Sequence, residues 1–230
     1  SIPRLMNAYD EQAIEAALRL RDAGASATIA VVSIGPDPAT ILRHAAALGA
    51  DEIVHVAADP AALDGHATAA LLAAWISSTG PVDLVLCGRQ ASDDDQGVVA
   101  ALVGERLGMP IVTIARAVEL AADGAAVRVT RVTPDGDEVV EASLPAVVTV
   151  SNELGTPRYP TAARKIQARR VKPTVVTADT LGLGAADLAP KTAVIRQFVP
   201  HVQGHCEFLA GAPAEAAQAL VERLAQEGGV

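Results

Sequence analysis

Three consecutive carboxylates follow an apolar run of the chain, at a place where α/β proteins often bind a phosphate. The run "VDLVLC" ends at Cys87, and the loop "GRQASDDDQG" that comes next carries Asp93, Asp94 and Asp95. Gly97, a residue that lets an anion approach the backbone closely, then leads into the apolar segment "VVAALVGERL". The first backbone N–H groups of a helix have no partner inside the helix and attract anions. We therefore predict a phosphate site at the start of this helix.

The aspartates of this loop have several uses that the sequence leaves open. Asp95 can cap the following helix, and a neighbouring carboxylate can accept a hydrogen bond from a ribose hydroxyl or pair with Arg89. Clustered carboxylates also suit Mg²⁺, but the sequence shows no second cluster of ligands, so we expect no metal site. A bound phosphate tolerates the aspartates if their carboxylates face solvent.

No part of the sequence has the pattern of a catalytic nucleophile or base. The motifs G-x-S-x-G, H-E-x-x-H and Walker A are absent, and the five histidines fall in separate elements. The two cysteines, Cys87 and Cys206, are too few for a disulfide framework or a zinc site, and Cys87 has the setting of a packing residue. We expect no catalytic residue in this chain.

The elements that must position the aspartate loop alternate between strand and helix. The predicted strands are 27–35, 51–56, 82–88 and 110–115, and the predicted helices are 37–50, 59–77 and 96–108. This alternation predicts βαβ units in a mostly parallel, doubly wound, Rossmann-like sheet. Ligands of such sheets bind beyond the carboxyl ends of the strands, which here carry Ser33-Ile34-Gly35 and Gly88-Arg89-Gln90.

Two stretches depart from that alternation. Asp123-Gly124 and Asp135-Gly136 are turn signals between alternating strands, so we predict an antiparallel meander before the buried strand "PAVVTV". The chain also opens almost at once on a helix with Asn7 at its N-cap, whereas a doubly wound sheet normally opens on a strand. We expect that this first strand is missing from the sequence.

Composition and charge exclude several classes of protein. Aromatic residues make up 2% of the 230 residues and the formal net charge is -9, so we expect no nucleic-acid partner. No apolar run approaches the roughly 18 residues of a membrane span, and no signal peptide is recognisable. We therefore expect a soluble protein of a reducing compartment.

One stretch reverses the sign of the overall charge. Six cations lie between Arg158 and Lys172, and no acidic residue occurs between Glu153 and Asp179. Because the stretch begins with the rigid sequence "PRYP", we predict an exposed, extended basic arm. Further on, an amphipathic helix beginning near Pro213 presents an apolar side, which we predict to dock on a partner chain.

Taken together, four stretches resemble the β subunit of electron transfer flavoprotein. They are "MNAYDEQAIEAALRL", "AVVSIGPDPATILRHAAALGAD", "LVLCGRQASDDDQG" and "LPAVVTVSNELGTPRYPT". They follow the order and spacing of the family, and the resemblance spans nearly the whole chain. It implies a heterodimer whose α subunit holds most of the FAD, while the β subunit binds AMP or, in electron-bifurcating members, a second FAD.

The resemblance also implies which residues bind the nucleotide and the partner. The nucleotide-binding residues would be Asn7, Ala8, Tyr9, Asp10, Ser33, Ile34, Gly35, Asp93, Asp95, Gln96, Gly97, Val98 and Val99. The residues of the partner-recognition loop would be Tyr159, Ala162, Arg164, Lys165, Arg169 and Arg170. In the family the phosphate lies on the N–H groups after the aspartates, which would explain why the carboxylates are tolerated.

Three features differ from the usual pattern of the family. The opening strand, which supplies backbone contacts to adenine, is missing. Val98 stands where many members have glutamine, and Ala162 stands where members that dock acyl-CoA dehydrogenases have a leucine anchor. We therefore expect the contact with a donor protein to depend more on charge than on apolar burial.

The resemblance implies a division of the chain and a function. We expect a nucleotide-binding α/β domain over 1–150, a basic partner-recognition arm over 151–188, and a docking segment with a helix over 189–230. The implied function is electron transport from flavin dehydrogenases, such as the acyl-CoA dehydrogenases of fatty acid oxidation, to a quinone reductase or another acceptor. Such a subunit of an oxidoreductase complex has no substrate chemistry of its own.

Two alternatives remain at this point. One is a subunit of an electron-bifurcating flavoprotein that binds a second FAD and works with NADH, and the other is a nucleotide-binding module without a redox role. The implied location is the cytoplasm of a bacterium, or the mitochondrial matrix if the source is eukaryotic.

Overall fold

The structure is a computed structural model that describes residues 5–201, 204 and 206–227. They divide into two compact units, one ending at Ala193 and the other beginning at Val194. The elements of the described residues are α1 (Ala8–Asp22), β1 (Ala30–Gly35), α2 (Ala39–Leu48), β2 (Glu52–Ala57), α3 (Gly65–Ser78), β3 (Leu84–Gly88), α4 (Val99–Leu107), β4 (Ile111–Leu120), β5 (Ala126–Thr133), β6 (Gly136–Ser143), β7 (Ala146–Val150), α5 (Ala162–Ala168), β8 (Thr174–Thr177) and α6 (Pro213–Gln226), with 3₁₀ turns at Pro60–Ala62, Asn152–Leu154 and Asp179–Leu181. None of these helices has the length and apolar character that a membrane span requires.

The eight strands form two sheets within the first unit. The smaller sheet is parallel and has the order β1-β2-β8, and the larger one has the order β3-β7-β4-β5-β6. In the larger sheet β3, β7 and β4 run parallel, whereas β4, β5 and β6 form the antiparallel meander predicted from the Asp-Gly turns. The predicted fold class, a mostly parallel Rossmann-like α/β fold with a meander, is confirmed.

Helices cover both faces of the two sheets, and each helical layer covers both sheets. Val32 of β1 and Val85 of β3 pack in one apolar cluster with α3 and α4. Their neighbours Val31 and Leu86 pack against α1 instead. Because successive residues of a strand point to opposite faces, α1 lies on one face of both sheets and α3 and α4 lie on the other. Among the described residues no strand precedes α1, and β1 and β3 each pair on one side only.

The carboxylate of Asp64 decides where α3 begins. The sequence predicts one helix over 59–77, but the structure has a 3₁₀ turn there and α3 starts only at Gly65. Asp64 accepts a hydrogen bond from the backbone N–H of Ala67 at 2.9 Å and so caps the helix. Its other oxygen accepts from the backbone N–H groups of Lys191 (2.6 Å) and Thr192 (2.9 Å), which fixes the end of the first unit on α3.

The segment predicted as an extended arm is instead folded into the first unit. Within it, α5 packs on α2 and β8 pairs with β2. Thr161 caps α5 by accepting the backbone N–H of Arg164 at 3.3 Å. The Arg164 guanidinium in turn donates to the carbonyl of Leu48 at 3.0 Å, where a cation stabilises the negative end of α2. A helix and a strand therefore take the place of the extended arm.

A buried carboxylate ties α1 to the chain that follows β7. Glu15 is 6% exposed and accepts hydrogen bonds from the Nε atoms of Arg158 at 2.8 Å and Arg19 at 2.9 Å. Arg158 also donates to Asp22 at 2.7 Å. Burial alone would raise the pKa of Glu15, but the bonds from Arg158 and Arg19 together outweigh it and lower the pKa below its ordinary value. Arg158 is thus neutralised inside the fold.

The described residues of the second unit have no regular structure before α6. Its exposed large apolar side chains are Val194, Ile195, Phe198, Val199, Phe208, Leu220, Val221 and Leu224. Ile195 is 98% exposed and Phe208 is 89% exposed, so these are side chains that no described part of the chain covers. Such a concentration of exposed apolar residues is typical of a surface that another molecule covers.

We predict that replacing Glu15 destabilises the fold. Glu15→Gln removes the ion pairs with two partly exposed arginines and should lower the free energy of unfolding at pH 7 by about 1–3 kcal/mol, measured by chemical denaturation. Glu11→Gln is the control on the same helix, because Glu11 pairs with His44 and both side chains are about a third exposed. Its cost should stay below about 1 kcal/mol.

The difference in stability between the wild type and Glu15→Gln should depend on pH in a direction that the pKa of Glu15 predicts. Because the pKa of Glu15 is lower in the folded protein, its contribution is fully present above the ordinary pKa of 4.5 and is lost as the pH falls further. The difference in stability between wild type and Glu15→Gln should therefore narrow on acidification. A difference that stays constant down to about pH 3 would contradict the assignment.

Candidate functional site

The first turn of α1 sits directly against the carboxyl end of β3. The backbone N–H of Gly88 donates to the Asp10 carboxylate at 2.8 Å, and the Asn7 side-chain amide donates to the Gln90 carbonyl at 2.8 Å. A Cβ atom at position 88 would lie 2.6 Å from the Asp10 carboxylate and 2.7 Å from the Asp10 backbone nitrogen. Only glycine allows this approach, so Gly88 and Asp10 together fix the helix on the strand.

The aspartate loop is held in place by hydrogen bonds of its own residues, including one from Gln90 just after β3. The Gln90 amide donates to Asp95 at 2.8 Å, and the Asp94 carboxylate accepts the backbone N–H of Gln96 at 3.3 Å. Asp95 has a φ of 53° and Gly97 a φ of 64°, so two residues of the loop adopt the left-handed conformation. Asp95 is thus bound to Gln90 and does not cap α4, which excludes one of the uses left open by the sequence.

The N-terminus of α4 is open. The N–H of Leu102 is the first to bond back into the helix, to the carbonyl of Val98 at 3.1 Å. The N–H groups of Val99, Ala100 and Ala101 precede that bond, and no described side chain caps them. No acidic residue stands in the first turn, so the positive end of the helix dipole is not neutralised locally. This end of α4 can therefore bind an anion.

Gly97 has a different role from the one expected. A Cβ atom at this position would lie 3.4 Å from the carbonyl oxygen of Arg89, so it would point back into the loop and not toward the open N–H groups. Glycine is favoured here because of its positive φ, which lets the chain turn from the aspartates into α4. A bulky residue would strain the loop before it blocked a ligand.

Asn7 leaves one acceptor without a partner. Its amide nitrogen donates to Gln90 and to Asp10, whereas its side-chain oxygen is buried and accepts no hydrogen bond from the described residues. Asn7 was expected to cap α1, but its side chain makes no such bond. A buried amide oxygen in this position suits a donor on a ligand, such as an adenine amino group or a ribose hydroxyl.

Crowding and hydrogen bonding act against each other at Asp10. The residue remains accessible to solvent, yet the protein atoms around its carboxylate desolvate it and raise its pKa, and the bonds from Gly88 and Asn7 only partly offset this. Burial, with a smaller contribution from the negative charge of Asp10, raises the pKa of the Cys87 thiol to about 12. Cys87 therefore stays protonated at neutral pH, as a packing residue does.

The end of β1 is fixed by a residue that the sequence analysis did not single out. A ring nitrogen of His55 in β2 lies 2.6 Å from the carbonyl oxygen of Gly35, and His55 is the register partner of Ser33. No hydrogen bond of the described residues links this strand end to the first turn of α1 or to the aspartate loop. Strand pairing places His55 opposite Ser33. The sequence shows only a single histidine in an apolar run and does not indicate which residue lies opposite it.

The structure therefore joins some of the predicted nucleotide-binding residues and leaves others apart. Asn7 donates to Asp10 directly and is linked to Asp95 through Gln90, a residue missing from the predicted set. The remaining predicted residues lie as follows: Ala8 and Tyr9 in the first turn of α1, Ser33, Ile34 and Gly35 at the end of β1, Asp93, Gln96, Gly97 and Val98 exposed on the loop, and Val99 at the start of α4. The described residues contain no group of three or more His, Cys, Asp or Glu that could hold a metal ion.

The predicted partner-binding residues fall into two groups. Arg164 donates to the carbonyl of Leu48 at the end of α2, as Arg158 donates to Glu15 of α1, so each makes a contact inside the fold. The others are exposed: Tyr159, Ala162, Lys165, Arg169 and Arg170. Ile166 is also exposed, and within the described chain the cations Lys165, Arg169, Arg170 and Lys172 make no ion pair. This exposed, positively charged face of α5 and the following turn is called the basic surface below.

Fold and site together define a Rossmann-like α/β protein with an uncapped helix N-terminus beside a strand end. The sequence model of the electron transfer flavoprotein domain matches residues 2–181. The caffeyl-CoA reductase-Etf complex subunit CarD of Acetobacterium woodii is 36% identical over 98% of this chain and 88% of its own length. The electron transfer flavoprotein subunit beta of Thermoanaerobacterium thermosaccharolyticum is 36% identical over 97% and 86%, and that of Bacillus subtilis is 30% identical over 98% and 88%.

The chain belongs to the electron transfer flavoprotein family. The family predicted from the four sequence stretches is confirmed, and so is the predicted function as a subunit of an electron transfer flavoprotein.

We predict that a negative charge in the first turn of α4 weakens nucleotide binding without weakening the fold. Ala101 is exposed in that turn, and Ala101→Asp should stabilise the helix by its dipole while repelling a phosphate at the same N–H groups. We expect about tenfold weaker binding of AMP, measured by calorimetry, with an unchanged or higher melting temperature. Ala101→Asn is the neutral control of the same size and should bind AMP like the wild type. Equal affinities for the two variants would show that the phosphate lies elsewhere.

Proposed function

We propose that this chain is the electron-carrier β subunit of a heterodimeric electron transfer flavoprotein, and that it holds AMP at the open end of α4. The observation that carries the proposal is the junction of α1, β3 and the aspartate loop through Asp10, Asn7 and Gln90. Asn7, whose amide oxygen is unpaired, bonds to the carbonyl of Gln90, and Gly97, which lies against Arg89 and Gln90, leads into the uncapped N–H groups of α4. The positive end of a helix and a buried acceptor are complementary to a phosphate and a nucleoside.

The role of this chain is to bind and to orient. FAD, when bound to the complex, supplies the redox chemistry, and the resemblance to the family assigns most of its contacts to the α subunit. In this chain the N–H groups of Val99, Ala100 and Ala101 would hold the phosphate, and Asn7 would accept from the nucleoside. Cys87 stays protonated at neutral pH, as a packing residue does.

An α chain is the partner that the second unit suits. Its exposed apolar side chains, among them Ile195, Val199 and Phe208, would each be costly to leave in water. Stable, obligate interfaces are the ones that bury such apolar surface. The nucleotide site lies in the first unit and these apolar residues lie in the second. Nucleotide binding and α-chain binding can therefore be tested separately.

The basic surface is the proposed contact with the electron-donating dehydrogenase. It presents four unpaired cations in a protein with a net charge of -9, so its charge is local and opposite to that of the rest. Opposite local charges speed the encounter of two proteins without much buried area. Tyr159 and Ile166 offer some apolar contact, and Ala162 offers little. We therefore expect the complex with the dehydrogenase to be weak and sensitive to salt.

A second candidate is favoured by one comparison. The relative from Acetobacterium woodii is named as part of a caffeyl-CoA reductase-Etf complex, and it is as similar to this chain as the subunits named simply as electron transfer flavoprotein. We therefore keep a bifurcating subunit, with a second FAD in place of AMP and NADH as a reactant, as the alternative.

The composition of the purified heterodimer separates these candidates. When the chain is produced together with its α subunit, we predict co-elution of the two chains with one FAD and one AMP per heterodimer, measured by mass spectrometry of the released nucleotides. Two FAD and no AMP would support the bifurcating alternative. A heterodimer that carries FAD but no nucleotide beyond it would contradict the proposed site on α4.

We predict that charge on the basic surface controls the reaction with the donor. Reversing both Arg169 and Arg170 to Glu should slow electron transfer from an acyl-CoA dehydrogenase about tenfold at low ionic strength, with unchanged flavin content. The difference should shrink at high salt because exposed charges are screened. Reversing Arg116 of β4 and Arg128 of β5 to Glu changes the net charge by the same amount and is the matched control. Identical effects of the two double variants would show that the basic surface has no local role.

A further inference from the structure

One polar face of α1 holds the chain that leads to the basic surface. The Gln12 amide donates to the carbonyl of Gly155 at 2.7 Å, and Arg19 donates to the carbonyl of Leu154 at 2.9 Å. These bonds lie on the same helix face as Glu15, since residues three and four positions apart are neighbours on a helix. The chain from 154 to 158 is thus fixed on α1 over two turns of the helix.

Arg158 makes the last and densest of these contacts. Its Nε and Nη2 atoms lie 2.8 and 3.3 Å from the two oxygens of Glu15, and its backbone N–H donates to Glu15 at 3.2 Å. Nη2 also donates to Asp22 at 2.7 Å. Two carboxylates neutralise the guanidinium, so Arg158 adds nothing to the field that steers a donor. A planar fork that satisfies two acceptors at once is a property of arginine that lysine does not share.

The exposed chain that leads into the basic surface begins at the very next residue. Tyr159 is 84% exposed, and the chain then enters α5 through the cap at Thr161. On the far side of that cap, Arg164 is held on the carbonyl of Leu48. The chain from Tyr159 to α5 is therefore held between two arginines that hydrogen-bond to other parts of the fold.

We propose that Arg158, through Glu15, is a positioning residue for the contact with the electron donor, because it sets where Tyr159 and α5 stand on the surface. This inference rests on the proposed function, in which the basic surface meets the donor. Arg158 makes no contact with the donor and contributes no steering charge. Its effect is on the geometry of the encounter complex, and therefore on KM rather than on kcat.

The test measures steady-state electron transfer from an acyl-CoA dehydrogenase to the intact heterodimer, with the heterodimer as the varied substrate. For Arg158→Gln we expect KM to rise about fivefold or more, kcat to change less than twofold, and flavin content to stay the same. Arg158→Lys should show the same rise, because it keeps the charge and loses the fork. Arg116→Gln, which breaks an exposed ion pair with Asp137 away from the basic surface, is the control and should keep the wild-type KM.

Salt separates positioning from steering. The rise in KM for Arg158→Lys should be the same at low and high ionic strength, because this variant keeps the charge and loses only the fork. A wild-type KM for Arg158→Lys, or a rise in that variant that salt abolishes, would overturn the inference in favour of simple charge. Should Arg158→Gln fail to fold, Arg158→Lys alone decides, since a wild-type KM in that variant overturns the inference.

The Arg169 and Arg170 double reversal shows which claim has failed. If the double reversal slows transfer and Arg158→Gln leaves KM unchanged, the positioning role is wrong and the proposed donor contact stands. If neither has an effect, the donor binds elsewhere and both claims fall. If the double reversal and Arg158→Lys both have an effect, and only that of the double reversal is screened by salt, the two roles are established separately.

Discussion

The hydrogen bond from the Gly88 N–H to the Asp10 carboxylate is the contact on which the site depends. It brings the first turn of α1 against the end of β3, and the absence of a side chain at position 88 is what permits the approach. Asn7 and Gln90 extend the junction into the aspartate loop, which then delivers the chain to the start of α4. The uncapped N–H groups of α4 are placed for a ligand only because Asn7 and Gln90 hold the loop that precedes them.

The helix α1 has a second task on another of its faces. Glu15, buried and paired, holds the chain that leaves β7, so one helix organises both the nucleotide site and the start of the basic surface. This arrangement explains why the cations of the basic stretch are not equivalent. Arg158 and Arg164 bond to other parts of the fold, whereas Lys165, Arg169, Arg170 and Lys172 make no ion pair with the described residues. Charge density in a sequence therefore overstates the charge that a partner meets.

Much of the fold could be predicted because periodicity and turn residues report local structure. The unalternated apolar strands, the helices between them and the Asp-Gly meander all follow from patterns within a few residues. Contacts between distant segments have no such signal. The sequence suggested Asp95 as a helix cap and Asn7 as the cap of α1, yet both side chains bond to Gln90. The basic stretch was expected to be extended because prolines flank it, but pairing with β2 and a Thr161 cap favour a strand and a helix.

The central claim, that the open end of α4 holds the phosphate of a nucleotide, is tested most directly by amide hydrogen exchange on the heterodimer. Exchange is compared between the heterodimer loaded with AMP and the same heterodimer depleted of it. The account predicts slower exchange with AMP at Val99, Ala100 and Ala101, while amides of the β5–β6 hairpin, which lies at the far edge of its sheet, exchange equally in both states. Protection confined to other segments, with these three amides unchanged, would contradict it.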